Sequence, residues 1–192
     1  MGCFPKNRIE IPTHIDDNET IIRAIFHPIF VSSKKGLKFQ AFLPGKSDDA
    51  EQRKRVSVYR KNYSTDSACK NSAISIKMNQ QSYYGFAAFM SKHISNINEL
   101  AGMTVQAKMA FTPMDISNKY IEIQNNKIYT TDKGIPMHAE IVYNKEIELD
   151  NPNTGHRLYA DKLIEITKNS VYKDIEPLLP NWHQEEIKWK EI

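Results

Sequence analysis

Strong functional signatures are scarce in this chain, and each absence removes a class of function. Two cysteines in 192 residues exclude a disulfide scaffold and a zinc site built from paired Cys-x-x-Cys motifs. Seven glycines leave little material for a phosphate-cradling loop. No P-loop, GxGxxG, HExxH, GxSxG or EF-hand pattern occurs in the sequence. No apolar run reaches the ~20 residues of a membrane span. His14, His27, His93, His138, His156 and His183 are never two to five residues apart, so a metal site would need ligands from distant segments. The expectation is therefore no metal, no cofactor and no membrane. The amino terminus, Met1-Gly2-Cys3-Phe4-Pro5-Lys6, has no apolar core of a secretory signal, and Lys6 breaks the myristoylation pattern; a cytoplasmic setting follows as the expectation. Cys3 and Cys69 carry no sign of activation and read as small packing or surface thiols.

What is present describes a soluble globular chain. Hydrophobic residues make up 40% and charged residues 26%, too apolar for a disordered chain and near the average of folded domains. The formal net charge is only +3, but it is divided. Residues 1–96 hold 15 Lys and Arg against 8 Asp and Glu, and residues 97–192 hold 11 against 15. The densest basic stretch contains Lys34, Lys35, Lys38, Arg53, Lys54, Arg55, Arg60 and Lys61. It is either a nucleic-acid-binding face or a set of solvated lysine-rich loops. Tyr59 and Tyr63 interleave with Arg55, Arg60 and Lys61, a mixture that suits base stacking and also suits a half-buried sheet with a basic rim.

The hydrophobic pattern predicts an α+β fold: a mostly antiparallel sheet of five or six short strands with two or three helices on one side. Residues 1–16 read as a polar N-terminal arm and 17–175 as a single domain. Strands are expected at Thr20–Phe26, Leu37–Leu43, Val56–Tyr59, 84–93, Thr104–Phe111 and 137–143. A helix is expected over 66–81, capped by Thr65 and Asp66. A short helix is expected at 97–101, on the capping-box signal of Asn96 and Glu99. A third is expected over about 155–168, with Tyr159, Leu163 and Ile166 on its inner side. Residues 115–134 read as an inserted hairpin, Tyr120–Ile123 against Lys127–Thr130 around Gln124-Asn125-Asn126. Residues 176–192 form a Pro-bracketed tail in which Leu178, Leu179, Trp182 and Trp189 either pack back or dock onto a protein partner.

Four polar residues could carry chemistry. His138 opens an apolar strand, where a neutral imidazole can act as acid or base or simply fill a hydrogen-bonded core position. Arg23 and His27 share one strand face and could hold a phosphate. Ser57 is an ordinary edge serine unless His138 lies beside it.

Short signatures in order, Ile22-Arg23 with His27-Pro28, Phe39-Gln40-Ala41-Phe42, Val56-Ser57-Val58, Tyr84-Gly85-Phe86-Ala87-Ala88 and Pro136-Met137-His138-Ala139-Glu140-Ile141, resemble a set of small bacterial proteins of mobile-element and phage-defence settings. The resemblance spans about 20–165 and leaves out the 115–134 insertion and the tail. It implies a genomic setting without a reaction and draws attention to Arg23, His27, Ser57 and His138. The leading expectation is a non-enzymatic accessory subunit that contacts nucleic acid through the basic face and a larger protein through the tail. The alternative is an enzyme acting on a nucleotide or phosphate-bearing substrate through Arg23 and His138, with Ser57 nearby.

Overall fold

A computed structural model describes residues 8–32, 36–45, 47–75, 81–124, 126–147, 154–174 and 189–191. Its strands are β1 (Thr20–His27), β2 (Val31–Ser32), β3 (Gly36–Leu37), β4 (Arg55–Arg60), β5 (Ser82–Met90), β6 (Ala107–Phe111), β7 (His138–Tyr143), β8 (Val171–Asp174) and β9 (Trp189–Glu191). Its α-helices are α1 (Asp66–Ser75), α2 (Lys92–Asn98) and α3 (Thr154–Thr167). The main sheet runs β6-β7-β4-β1-β5-β8, with β9 as a seventh strand at the far edge. Every neighbouring pair in it is antiparallel. The α+β class holds. No helix among the described residues is long and apolar enough to cross a membrane.

Register fixes which side chains share a face. Ile22 lies opposite Tyr59, and Tyr59 opposite His138, so these three point to one side of the sheet. Ile21, Arg60, Val58, Ala139 and Phe111 point to the other. α3 packs on this second face: the Tyr159 ring meets Tyr143 edge-on at 5.3 Å, and its hydroxyl donates to the Ile94 carbonyl of α2 at 2.8 Å. α1 lies over the first face, with Cys69 and Ala73 turned inward and fully buried. Thr65 caps it, accepting from the Ala68 N–H at 3.1 Å. Ile21, Ile25 and Ile141 in the central strands are completely buried, each stabilising the sheet by roughly 1.5–3 kcal/mol.

The centre of the sheet is split. β1 and β4 pair only at Ile21↔Arg60 and Ile22↔Tyr59, although both strands continue past these positions. A 3-10 turn, Phe39–Phe42, lies on the second face beside this opening, and Ala41 and Phe42 are fully buried. The Tyr143 hydroxyl donates to the Phe42 carbonyl at 2.8 Å, and Phe42 meets Phe89 edge-on at 6.0 Å. The strand expected at Leu37–Leu43 is thus a turn beyond Leu37. Adjacent Ala41 and Phe42 are both enclosed, which an alternating strand beside one core cannot achieve.

Three further expectations are corrected. α2 starts at Lys92, five residues before the expected helix, because burial of Ile94 and Ile97 outweighs the capping signal at Asn96. Among the described residues the two limbs of the 115–134 segment, Tyr120–Ile123 and Lys127–Thr130, do not pair with each other. Met114 bridges both Tyr120 and Ile135, while Tyr129 bridges Glu10. The limb around Ile128 therefore pairs with the N-terminal arm: Ile11 N–H donates to the Ile128 carbonyl at 2.7 Å and Thr130 N–H to the Ile9 carbonyl at 2.9 Å. Gly134 permits this path. Its φ is +103°, and a Cβ there would lie 2.4 Å from the Met114 carbonyl oxygen. The arm from residue 8 onward is accordingly part of the fold, with Ile11 and Ile15 buried.

Candidate functional site

The densest polar cluster lies on the first face, along β4 and β7. Cross-strand pairing sets Tyr59 opposite His138 and Ser57 opposite Glu140, so a base, an acid and a hydroxyl fall in adjacent rows of one face. The loop from Met114 to Ile135 brings Tyr120 over them.

Glu140 is buried, with 1% exposure, and would be costly as a lone carboxylate. It is compensated twice. Arg55 Nη1 donates to Oε2 at 2.7 Å, and the Tyr120 hydroxyl donates to Oε1 at 2.8 Å. Gln52 Nε2 in turn donates to the Tyr120 oxygen at 3.4 Å. Burial pushes the Tyr120 phenol upward, with Gln52 opposing and Glu140 reinforcing the shift. Desolvation works against the Arg55 charge, but its bond to Glu140 holds the guanidinium above its ordinary value.

His138 is 2% exposed. Its Nδ1 lies 2.7 Å from the Thr112 carbonyl and 3.0 Å from the Thr112 hydroxyl. A carbonyl only accepts, so Nδ1 carries the proton and Nε2 carries the lone pair. Nε2 is buried without a hydrogen-bond partner. The ring stands between Tyr59, edge-on at 6.3 Å, and Tyr120 at 6.5 Å. Burial drives its pKa below the ordinary histidine value, against the opposing pull of Thr112 and Glu140; the Arg23 charge adds to the lowering. The ring is thus a neutral imidazole enclosed by aromatic walls. The Ser57 hydroxyl forms no hydrogen bond with the described residues, to His138 or otherwise.

Arg23 does not join this cluster. It belongs to the opposite face and turns into the split between β1 and β4. There Nε donates to the Ala41 carbonyl at 2.9 Å and Nη1 to the Ser57 carbonyl at 2.7 Å. Its guanidinium lies 5.1 Å from the Phe30 ring centroid. It has no carboxylate within ion-pair reach among the described residues, and burial pulls its pKa down to about 10, partly offset by the Tyr59 and Tyr143 phenols. It links the β4 backbone at Ser57 to the turn at Ala41. Its contact with Ser57 is to the backbone carbonyl, not to the hydroxyl. His27 is exposed and stacks on Tyr84 at 6.5 Å. Arg23 and His138 thus point to opposite faces, and Ser57 meets Arg23 only through its carbonyl.

The basic stretch is largely compensated where it stands. Arg53 pairs with Glu146 at 2.7 Å, Lys54 with Glu51 at 3.0 Å, and Arg55 with Glu140 and Glu51. Lys38 Nζ donates to the Pro28 carbonyl at 2.8 Å, and Lys61 Nζ reaches the Ser64 carbonyl at 3.5 Å. Arg60 is the clear correction: it is completely buried and unavailable to a ligand. It forms a two-pronged ion pair with Glu19, with Nε to Oε2 at 2.8 Å, and holds the Pro12 and His14 carbonyls. Lys34, Lys35, Leu178, Leu179 and Trp182 lie outside the described residues. Trp189 opens β9, opposite Asp174.

Sequence reasoning did not single out Glu140, Tyr120, Thr112 or Glu19. Glu140 carried a readable signal, an acid inside the apolar strand of His138. The partners come from remote segments and had none. Among the described residues no three His, Cys, Asp or Glu side chains assemble into a metal-binding group. No family model, no curated protein and no solved structure matches this chain.

Proposed function

We propose that this protein is a non-enzymatic accessory module that acts by binding another protein. One observation carries the reading: the side chains with catalytic potential are held by the fold, and the anion-holding candidate Arg23 lies on the face opposite His138. Thr112 fixes His138, Arg55 and Tyr120 hold Glu140, and Arg23 binds two backbone carbonyls on the opposite face. An enzyme of the expected kind needs an anion holder and a base converging on one reacting atom. A protein partner is favoured over nucleic acid because Arg53, Lys54 and Arg55 already have carboxylate partners and Arg60 is interior. Counterion release, the main source of nucleic-acid affinity, needs uncommitted cations.

The test is purification of the native full chain from its own cells, with and without nuclease. The expected result is a stoichiometric protein complex that survives nuclease and is retained by S57A and H138Q variants. A complex that dissolves on nuclease treatment overturns the reading. So does submicromolar binding to DNA or RNA with a steep negative dependence on log salt. Turnover of any nucleotide that vanishes in a folded H138Q variant overturns it as well.

A further inference from the structure

The imidazole of His138 has one satisfied and one unsatisfied nitrogen. Nδ1–H is held by the Thr112 carbonyl, and Nε2 is buried with no hydrogen-bond partner among the described residues. A neutral lone pair is tolerable there. A cationic N–H in the same place would lose its hydration and gain no acceptor. The closed arrangement therefore accepts the neutral ring and excludes the imidazolium. The wall between the ring and solvent is Tyr120: His138 is 2% exposed and Tyr120 45%, with 6.5 Å between ring centroids. Tyr120 sits on a strap, residues 115–123, in which residues 116–119 are all exposed. The Tyr120 hydroxyl ties the strap to the sheet by donating to Glu140 at 2.8 Å, and Ile121 N–H donates to the Pro113 carbonyl at 2.8 Å. A segment with so little buried surface opens locally at low cost.

We infer that this strap is an acid-sensing latch: protonation of His138 at Nε2 favours a state in which Tyr120 leaves the sheet and water reaches the ring. The device is independent of the binding-module reading above. The groups around the ring set its direction. Glu140 on β7 favours the imidazolium, and it keeps its Arg55 partner from β4 when Tyr120 departs. The Arg23 charge from β1 opposes the imidazolium. Tyr59 of β4 and Tyr120 flank the ring as phenols that burial keeps neutral, and the Cys69 thiol of α1 lies near Tyr59. Beyond the end of β6, Thr112 offers an uncharged carbonyl and hydroxyl. Opening takes up one proton, so below the ordinary histidine pKa of about 6.5 the open-to-closed ratio rises up to tenfold per pH unit. From about pH 7.5 to about pH 5.0 the rise is roughly 30-fold.

The experiment is amide exchange of the full chain at those two pH values, each rate expressed as protection relative to an unstructured chain at the same pH. Protection of the Ile121 amide should fall roughly 30-fold. Low urea should leave it nearly unchanged, the mark of a local opening. In H138Q the fall should vanish. A second measurement needs no variant: NMR titration of the His138 ring in the unaltered chain. If only the open state binds the proton, the drop of the ring's apparent pKa below about 6.5 equals the logarithm of the Ile121 protection factor at neutral pH. The inference is overturned if Ile121 protection is the same at both pH values, or if it falls only through urea-sensitive global unfolding. It is overturned if a folded H138Q keeps the fall, which would assign the response to Glu140. It is overturned too if the ring titrates near its ordinary value while Ile121 stays protected, since the closed state would then hold the imidazolium.

Discussion

Replacing Arg60 with methionine should destabilise the protein severely. The Arg60 side chain is fully enclosed, and its partner Glu19 is 4% exposed. The substitution leaves the Glu19 carboxylate with one remaining bond, from the Asp16 N–H at 3.1 Å. Leaving one member of such a pair buried alone costs about 3–5 kcal/mol. The Pro12 and His14 carbonyls lose their donor as well, and the guanidinium leaves its places over Tyr63 at 4.6 Å and Phe111 at 4.8 Å. A domain of this size holds about 5–15 kcal/mol in total. The loss should lower Tm by roughly 6–20 °C. Urea unfolding at pH 7 measures the free energy directly, and limited proteolysis should show new cleavage in the 8–16 arm. The decisive comparison is the double variant E19Q/R60M, which removes both charges and should recover to within about 1–2 kcal/mol of the unaltered protein. The exposed pair Lys127–Glu10, 2.8 Å apart with 69% and 48% exposure, serves as control, and K127M should change nothing measurable. The reasoning is refuted if R60M unfolds like the unaltered protein, or if the double variant is no more stable than R60M.

Three further outcomes follow from other parts of the fold. The folded pKa of His138 is lowered by burial, so below about pH 6.5 the unfolded chain binds more protons at this position; stability should fall as pH drops through this range, and a flatter Tm–pH curve for H138Q is the check. Removing the Tyr120 hydroxyl in Y120F deprives Glu140 of one of its two side-chain donors, which should cost about 1–2 kcal/mol by urea unfolding and speed protease cleavage within 115–134. At Gly85 a Cβ would lie 1.9 Å from the Tyr172 carbonyl oxygen, so G85A should push β8 off β5 and cost about 1–3 kcal/mol, seen as faster amide exchange at Val171 and Lys173.

Much of the architecture is legible because local pattern and burial agree there. Thr20–His27, Arg55–Arg60 and His138–Tyr143 are rich in β-branched and aromatic residues and are bounded by turns or loops. α3 carries the spacing of Tyr159, Leu163 and Ile166 that a one-sided helix needs. The misreadings fall where a remote contact overrides a local signal. Leu37–Ala41 alternates like a strand, but Ala41 and Phe42 are both enclosed and the segment closes into a tight turn. Asn96 and Glu99 form a sound capping pattern, yet burial of Ile94 and Ile97 starts the helix earlier. The 120–130 segment looks like a hairpin because each limb favours extension; the partner of the second limb is the N-terminal arm, more than a hundred residues away, and no local pattern encodes that.

The polar residues follow the same logic with larger consequences. An arginine reads identically in sequence whether it faces solvent or an interior carboxylate. Within Arg53–Arg60 the outcomes diverge by strand parity and by what stands opposite. Arg55 falls beside Glu140 on one face, and Arg60 falls beside Glu19 beneath the arm. Both acids lie in other segments, so charge density along the chain overstates the charge available at the surface. The reverse holds for β6. Ala107–Phe111 carries no motif, because the groups it leaves unpaired among the described residues at Met109 and Phe111 are main-chain atoms that every residue possesses. Only the placement of β6 at the sheet's edge, with the Asn98 amide already seated at Ala107, sets those atoms apart.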